Sequence, residues 1–255
     1  MHLYAAKSGQ GSPVILLHGL FAMGQSMGMV ARSLAETFTV YSLDLRNHGR
    51  SPRTAYMDFT VMAQDVLAWM DGEGIDAVRI LGHSLGGKVA MQLALSAPER
   101  VQALAVADIA PVDYGVSEEH QRILDALHAV DLKKIQSRSD AEAILSTFIK
   151  ERGVRLFLLT NLYKNDRGLF DWRCDIAALK RNYDHLRDAL LQGEYGGPAL
   201  FIYGSESEYM SDRYADDIGA RFSHAEYYRV EGAGHWLHVD KTSEFNNVVA
   251  RFFSR

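Results

Sequence analysis

The chain is poor in the residues that build covalent or metal-held frameworks. Cys174 is the sole cysteine among 255 residues, which excludes an intramolecular disulfide and a zinc site made of several cysteines. No apolar run approaches the length needed to cross a bilayer, and the first nine residues lack the apolar centre of a signal peptide. We therefore expect a cytoplasmic protein without a membrane partner.

Strong charge of either sign is also missing. The net charge is −5 and the sequence contains no cluster of lysine and arginine, which argues against nucleic acid as a partner. With 47% hydrophobic residues, 23% charged residues and 5 prolines, the composition is that of a globular protein with a large core. The sequence specifies no oligomeric state.

Short apolar runs alternate with helical patterns over most of the chain, which predicts an α/β fold with a mostly parallel, doubly wound sheet. The candidate strands are residues 14–17, 40–43, 78–81, 104–107, 199–202 and 226–230. The alternation stops between about residues 111 and 197, where we find helical patterns alone. We interpret residues 112–196 as a helical cap inserted into a core of residues 1–111 and 197–255, roofing a pocket at the carboxyl ends of the strands.

The pentapeptide Gly-His-Ser-Leu-Gly at residues 82–86 lies between a predicted strand and a predicted helix. This is the setting of a nucleophile elbow, in which a strained turn exposes a serine hydroxyl above the sheet. Ser84 is the predicted nucleophile. The N–H of Leu85, at the start of the helix, would face the negative charge that develops during acyl transfer.

A serine hydroxyl needs a base and an acid that orients the base. His235 follows the last predicted strand in a glycine-rich loop, where the order serine, acid, histidine requires the base. His238 would complete a His-x-x-His pattern, but no further ligands accompany it, so we expect no metal.

The acid is less clear from the residues. The usual position, after residues 199–202, holds Ser207, which carries no charge. Asp108 ends the neighbouring predicted strand and could reach His235 from there, whereas Glu206, Glu208 and Asp113 are the alternatives. A buried aspartate needs such a hydrogen-bond partner.

The second oxyanion donor is predicted in the loop that follows the strand at residues 14–17. The N–H of Leu20 is favoured, and that of Phe21 is the alternative. We also expect Phe21, His83 and Trp236 to line the substrate pocket. Residues 44–51 form a turn-rich stretch that we interpret as loop scaffolding.

Taken together, these motifs resemble the α/β-hydrolase superfamily, and within it the small bacterial esterases of the YbfF type. The matching stretches are His-Gly-Leu-Phe at 18–21, Asp-Leu-Arg-Asn-His-Gly at 44–49, Gly-His-Ser-Leu-Gly-Gly-Lys at 82–88, Asp-Ile-Ala-Pro-Val-Asp-Tyr at 108–114 and Gly-Ala-Gly-His-Trp at 232–236. The resemblance implies a triad of Ser84, Asp108 and His235 assisted by Ser207. It also implies a helical cap and hydrolysis of carboxylic esters or acyl thioesters, with no metal or organic cofactor.

The predicted function is thus a serine hydrolase that cleaves esters, or acyl thioesters, of small to medium acyl groups. Carbon–carbon bond hydrolysis and cofactor-free perhydrolysis would use the same triad. A ligand receptor built on a hydrolase pocket is a third alternative.

Overall fold

A computed structural model describes residues 1–190 and 192–255. Within these residues the strands are β1 (Ala5–Ser8), β2 (Pro13–Leu17), β3 (Thr39–Leu43), β4 (Val78–His83), β5 (Val101–Ala107), β6 (Leu162–Lys164), β7 (Phe170–Trp172), β8 (Ala199–Gly204) and β9 (Ala225–Val230). The helices are α1 (Gly28–Leu34), α2 (Phe59–Gly72), α3 (Leu85–Ser96), α4 (Glu118–Ala129), α5 (Arg138–Ser146), α6 (Arg152–Leu159), α7 (Ile176–Arg181), α8 (Tyr183–Arg187), α9 (Ala215–Gly219), α10 (Leu237–Asp240) and α11 (Thr242–Phe253).

In the described residues, seven strands form one sheet in the order β1-β3-β2-β4-β5-β8-β9. All neighbours are parallel except β1, which pairs antiparallel with β3 at the edge. The predicted parallel α/β sheet is confirmed, and so is the position of β5 between the strands that precede Ser84 and Ser207. The predicted strand set lacked β1, which carries few β-formers and is mostly exposed.

Apolar residues alternate in direction along the inner strands and so fill a core on each face of the sheet. Ile15 and Leu17 of β2 pack in the core that contains α2 and α3. Val14 and Leu16 of the same strand pack in the core that contains α1 and α11. Burial on both faces is the arrangement expected for a doubly wound sheet.

The insertion between β5 and β8 contains α4 to α8 and a two-stranded antiparallel hairpin of β6 and β7. The expectation of helical patterns alone was therefore wrong for Leu162 and Tyr163, which lie in β6. Their spacing continues the apolar pattern of α6, but the chain turns at residues 165–168, where Gly168 has a φ of 73°. Among the described residues, no helix combines the length and apolarity needed to cross a membrane.

The apolar spacing of Val61, Met62, Val66, Trp69 and Met70 predicts a helix that follows Thr60 as its N-cap, but α2 begins at Phe59. Asp58 caps α2 instead, and its side chain accepts a hydrogen bond from the Val61 N–H at 2.7 Å. Asp58 is a strong capping residue because its carboxylate satisfies a free N–H of the first turn.

Candidate active site

Ser84 occupies the sharp turn between β4 and α3. Its backbone has φ 52° and ψ −117°, a strained combination for a residue with a side chain. A Cβ on Gly82 would lie 2.2 Å from the Gly86 carbonyl oxygen, and one on Gly86 would lie 2.4 Å from the Leu17 carbonyl oxygen. The two glycines therefore let strand and helix approach closely enough to expose the serine.

The end of β5 places a carboxylate beside this turn. Ala107 pairs with His83 across the two strands, and the Ser84 N–H donates to the Ala107 carbonyl at 3.0 Å. The next residue, Asp108, has a φ of 57° and a fully buried side chain. The strand register thus sets Ser84 and Asp108 at the same level of adjacent strand ends.

Asp108 is hydrogen-bonded on both carboxylate oxygens. Oδ1 accepts from the Gly204 N–H at 3.2 Å. Oδ2 accepts from the Ser207 hydroxyl and from His235 Nδ1, the latter at 2.6 Å. Because a carboxylate only accepts, His235 carries its proton on Nδ1 and keeps Nε2 free to take a proton.

The other acids considered from the sequence lie elsewhere. Glu206 and Glu208 are exposed, and Glu206 is fixed through its backbone N–H to the Ala233 carbonyl at 2.9 Å. Asp113 is exposed and pairs with Arg187 at 3.1 Å. Within the described residues, Asp108 is the carboxylate that contacts His235.

The loop after β2 is held by two buried histidines. His18 Nε2 accepts from the Leu45 N–H at 3.0 Å, and His48 Nε2 accepts from the Phe21 N–H at 3.3 Å. The Phe21 N–H is therefore engaged, whereas that of Leu20 has no acceptor among the described residues. As the first residue of α3, Leu85 also has an N–H without a helical partner. The backbone N–H groups of Leu20 and Leu85 are thus available to an acceptor, whereas that of Phe21 is already engaged.

Two aromatic rings pack on His235. The Tyr209 ring stacks on it with centroids 4.1 Å apart, and the His83 ring lies 4.8 Å away. His83 Nε2 also donates to the His235 carbonyl at 2.9 Å. The Tyr209 hydroxyl bonds to Nε2 of His120 in α4 at 3.2 Å. The His235 ring thus lies between the buried His83 ring and the Tyr209 ring, and the Tyr209 hydroxyl contacts the insertion through His120.

His238 does not join His235 as a ligand pair. Its ring packs against His83 with centroids 4.5 Å apart, and burial lowers its pKa to about 4. In the part of the chain that the structure describes, no three His, Cys, Asp or Glu side chains are grouped as metal ligands.

Ser84 lies where two cavities meet. A cavity of about 640 Å³ is lined by Ser84, His235 and the predicted pocket residues Phe21, His83 and Trp236. A second cavity of about 50 Å³ is lined by Ser84 and Leu85 on the α3 side. The insertion roofs the large cavity through α4 and α6, where Phe157 contacts Trp236 with ring centroids 5.5 Å apart.

Comparison with known proteins identifies the family of the chain. The sequence model of the alpha/beta hydrolase family matches residues 14–248. The chain belongs to this family. It is similar to Esterase YbfF of Escherichia coli (strain K12), with 37% identity over 95% of this chain and 93% of the relative. It is also similar to the sn-1-specific diacylglycerol lipase ABHD11 of Xenopus laevis, with 36% identity over 95% of this chain and 80% of the relative.

Solved structures give the same result for the α/β-hydrolase fold. A marine microorganism esterase superposes with a TM-score of 0.95 at 34% identity, covering 98% of this chain and 99% of its own. A meta-cleavage product hydrolase from Pseudomonas fluorescens IP01 superposes with a TM-score of 0.75 at 20% identity, covering 99% and 94%, and shares the fold. The predicted resemblance to the YbfF-type esterases is confirmed, and the chain is a hydrolase.

Three residues of this α/β-hydrolase site were not predicted as parts of it. Tyr209 follows the predicted site residue Ser207 by two positions, so its place in the site could have been inferred. His48 was interpreted as loop scaffolding, and its hydrogen bond to Phe21 shows what that scaffolding supports. His120 lies in the insertion and carries no motif, so no sequence signal connects it to the site.

The buried histidines predict how stability depends on pH. Burial lowers the pKa of His18 to about 4 and that of His48 to about 3, from the usual 6.5. Between these values and 6.5 the unfolded chain binds more protons than the folded one, so stability falls as pH decreases. We expect each of these two histidines to lower the free energy of unfolding by about 2 kcal/mol as the pH falls from 7 to 5.

Urea unfolding at pH 7, 6 and 5 measures this loss. In His48→Gln the loss over the same interval should be smaller by about 2 kcal/mol, because one titrating group has gone. An unfolding free energy that stays constant from pH 7 to 5 in the wild type would contradict the prediction.

Proposed function

We propose that this protein is a serine esterase that acts through an acyl-enzyme on Ser84. The observation that carries the proposal is the hydrogen bond of 2.6 Å from His235 Nδ1 to the buried Asp108 carboxylate. It fixes the imidazole in the tautomer whose Nε2 accepts a proton, and both His235 and Ser84 line the large cavity. The esterase and lipase names of the relatives support this chemistry.

In the proposed reaction, the Ser84 hydroxyl attacks the acyl carbon as His235 Nε2 takes its proton. The N–H groups of Leu20 and Leu85 bind the oxyanion of the tetrahedral intermediate. His235 then protonates the departing alcohol or thiol. Water, deprotonated by His235, cleaves the acyl-enzyme and restores Ser84.

Asp108 stabilises the imidazolium that forms in each step and keeps the ring in position. The Ser207 hydroxyl, which donates to Asp108 and accepts from the Tyr209 N–H at 3.1 Å, holds that carboxylate. The proposed mechanism uses protein groups and water alone, and the absence of a cofactor stays an expectation. A cytoplasmic location and a small-molecule ester or thioester substrate stay predictions.

Two assays on the wild-type protein test the proposal. We expect steady hydrolysis of p-nitrophenyl acetate, and complete inactivation by a fluorophosphonate at one equivalent per chain with the adduct on the peptide that contains Ser84. A protein that neither cleaves activated esters nor reacts with the fluorophosphonate would contradict the proposal and favour a binding protein.

A further inference from the structure

The two cavities at Ser84 differ greatly in volume, and Leu20, Ser84, His120 and Tyr209 border both of them. The hydrogen bond of 3.2 Å between the Tyr209 hydroxyl and His120 Nε2 joins two rings that line both cavities. A second bond, of 3.0 Å, joins His120 Nδ1 to the Tyr183 hydroxyl in the small cavity. The His120 ring is therefore held by a hydrogen bond on each of its two nitrogens.

The chemistry decides which part of an ester enters which cavity. The group that protonates the departing oxygen or sulfur must lie within hydrogen-bond reach of that atom. His235 lines the large cavity and is not part of the small one. The leaving group therefore extends into the large cavity, and the acyl chain points into the small one beside Leu85.

The volume of the small cavity limits the acyl chain. An apolar cavity of about 150 Å³ holds a benzene molecule. The small cavity, at about 50 Å³, consequently has room for about two carbon atoms beyond the carbonyl. Its apolar walls include Leu85, Ile109 and Leu186.

The charged groups beside the small cavity already have partners. Lys88 Nζ donates to the carbonyl oxygens of Val112 and Asp188, the latter at 2.7 Å. The Arg187 guanidinium pairs with Asp113 and Asp184 at 3.1 and 3.2 Å. An acyl chain with a terminal carboxylate would have to compete for these cations, so the cavity favours an uncharged chain.

The large cavity suits an apolar leaving group. At about 640 Å³ it lies in the range of pockets that bind drug-sized ligands. Its walls carry apolar side chains from the insertion and from the segment after His235 that includes α10, namely Ile123, Val154, Phe157, Trp236 and Val239.

We propose that this esterase cleaves esters or thioesters of short, uncharged acids, such as acetate and propanoate, with large apolar alcohols or thiols. This inference rests on the proposed function. The bond from the acyl carbon to the leaving oxygen or sulfur breaks as His235 protonates that atom. Water then adds to the acyl carbon, releasing the short acid and returning the proton to Ser84.

Two substrate series measured on the wild-type protein test the assignment of the cavities. Across p-nitrophenyl esters from acetate to octanoate, kcat/KM should fall by about 100-fold, because a pocket discriminates strongly against methylenes that it cannot hold. Across acetates of ethanol, butanol and hexanol, kcat/KM should rise by about fourfold per added methylene, the gain expected for burying one.

A matched pair of variants tests whether the small cavity limits the length of the acyl chain. Leu186→Ala enlarges the small cavity and should raise the ratio of hexanoate to acetate hydrolysis by about tenfold. Val154→Ala changes the large cavity and should leave that ratio unchanged. Each ratio is measured within one variant, so a partial loss of folded protein does not affect it. Leu186→Val should change the ratio in the same direction as Leu186→Ala, but by less.

Opposite results would overturn the inference. If kcat/KM rises with acyl length through octanoate while the acetates are cleaved at equal rates, the acyl chain occupies the large cavity. If Leu186→Ala leaves the hexanoate ratio unchanged, the small cavity does not hold the acyl chain. If no ester of either series is cleaved, the proposed function itself fails, and this inference fails with it.

Discussion

Replacing Ser84 with alanine should lower kcat for p-nitrophenyl acetate by about 10⁶, the loss found when a triad serine is removed. In the proposed mechanism this hydroxyl forms the covalent bond of the acyl-enzyme, so the substitution removes the nucleophile. Ser84 lies in a strained turn whose backbone alanine can also adopt. The melting temperature should therefore remain within a few degrees of the wild type.

Ser207→Ala is the matched control, because it removes a second serine hydroxyl from the same site. That hydroxyl contacts Asp108, whereas Ser84 is set at the junction of the two cavities. We expect Ser207→Ala to lower kcat by about tenfold, in line with the loss of one supporting hydrogen bond. If Ser84→Ala keeps more than about 1% of wild-type turnover, another residue is the nucleophile.

Asp108→Asn should lower kcat by about 10⁴, the loss recorded when the triad aspartate becomes asparagine. The asparagine amide can donate to His235 Nδ1, which moves the imidazole proton to Nε2. In that tautomer the nitrogen that must accept the serine proton is already protonated. The measurement is kcat for p-nitrophenyl acetate at pH 7 on purified protein of native circular dichroism.

Glu206→Gln and Glu208→Gln are the controls, since the sequence left these two carboxylates open as the acid. Both are exposed and should retain wild-type turnover within about twofold. A strong loss in either glutamate variant, together with near-normal turnover in Asp108→Asn, would place the acid after β8 and contradict the geometry described above.

Much of the framework follows from local sequence patterns. Apolar runs identify the strands that are buried on both faces, and the order β4-β5-β8 brings Asp108 between Ser84 and Ser207. The edge strand β1 was not predicted because its residues are mostly exposed and have no apolar alternation. The prediction of helix for Leu162 and Tyr163 of β6 is wrong because these two residues continue the apolar spacing of α6.

The contacts around His235 could be predicted from the sequence only in part. Asp108 could be considered from its place at a strand end, but the choice against Glu206 and Glu208 depends on the strand register and on side-chain direction. His120 and Tyr209 come from segments far apart in the chain, and they meet through packing between the insertion and the core. Such a pair has no local pattern to predict it.

The most direct test of the central claim is detection of an acyl group on Ser84 during turnover. Wild-type protein mixed with p-nitrophenyl acetate and quenched in acid within milliseconds should show a burst of p-nitrophenol. Peptide mass spectrometry should then find one acetyl group on Ser84. Asp108→Asn should show the same adduct forming far more slowly. An acetyl group on another side chain, or turnover without any acyl-enzyme, would contradict the account.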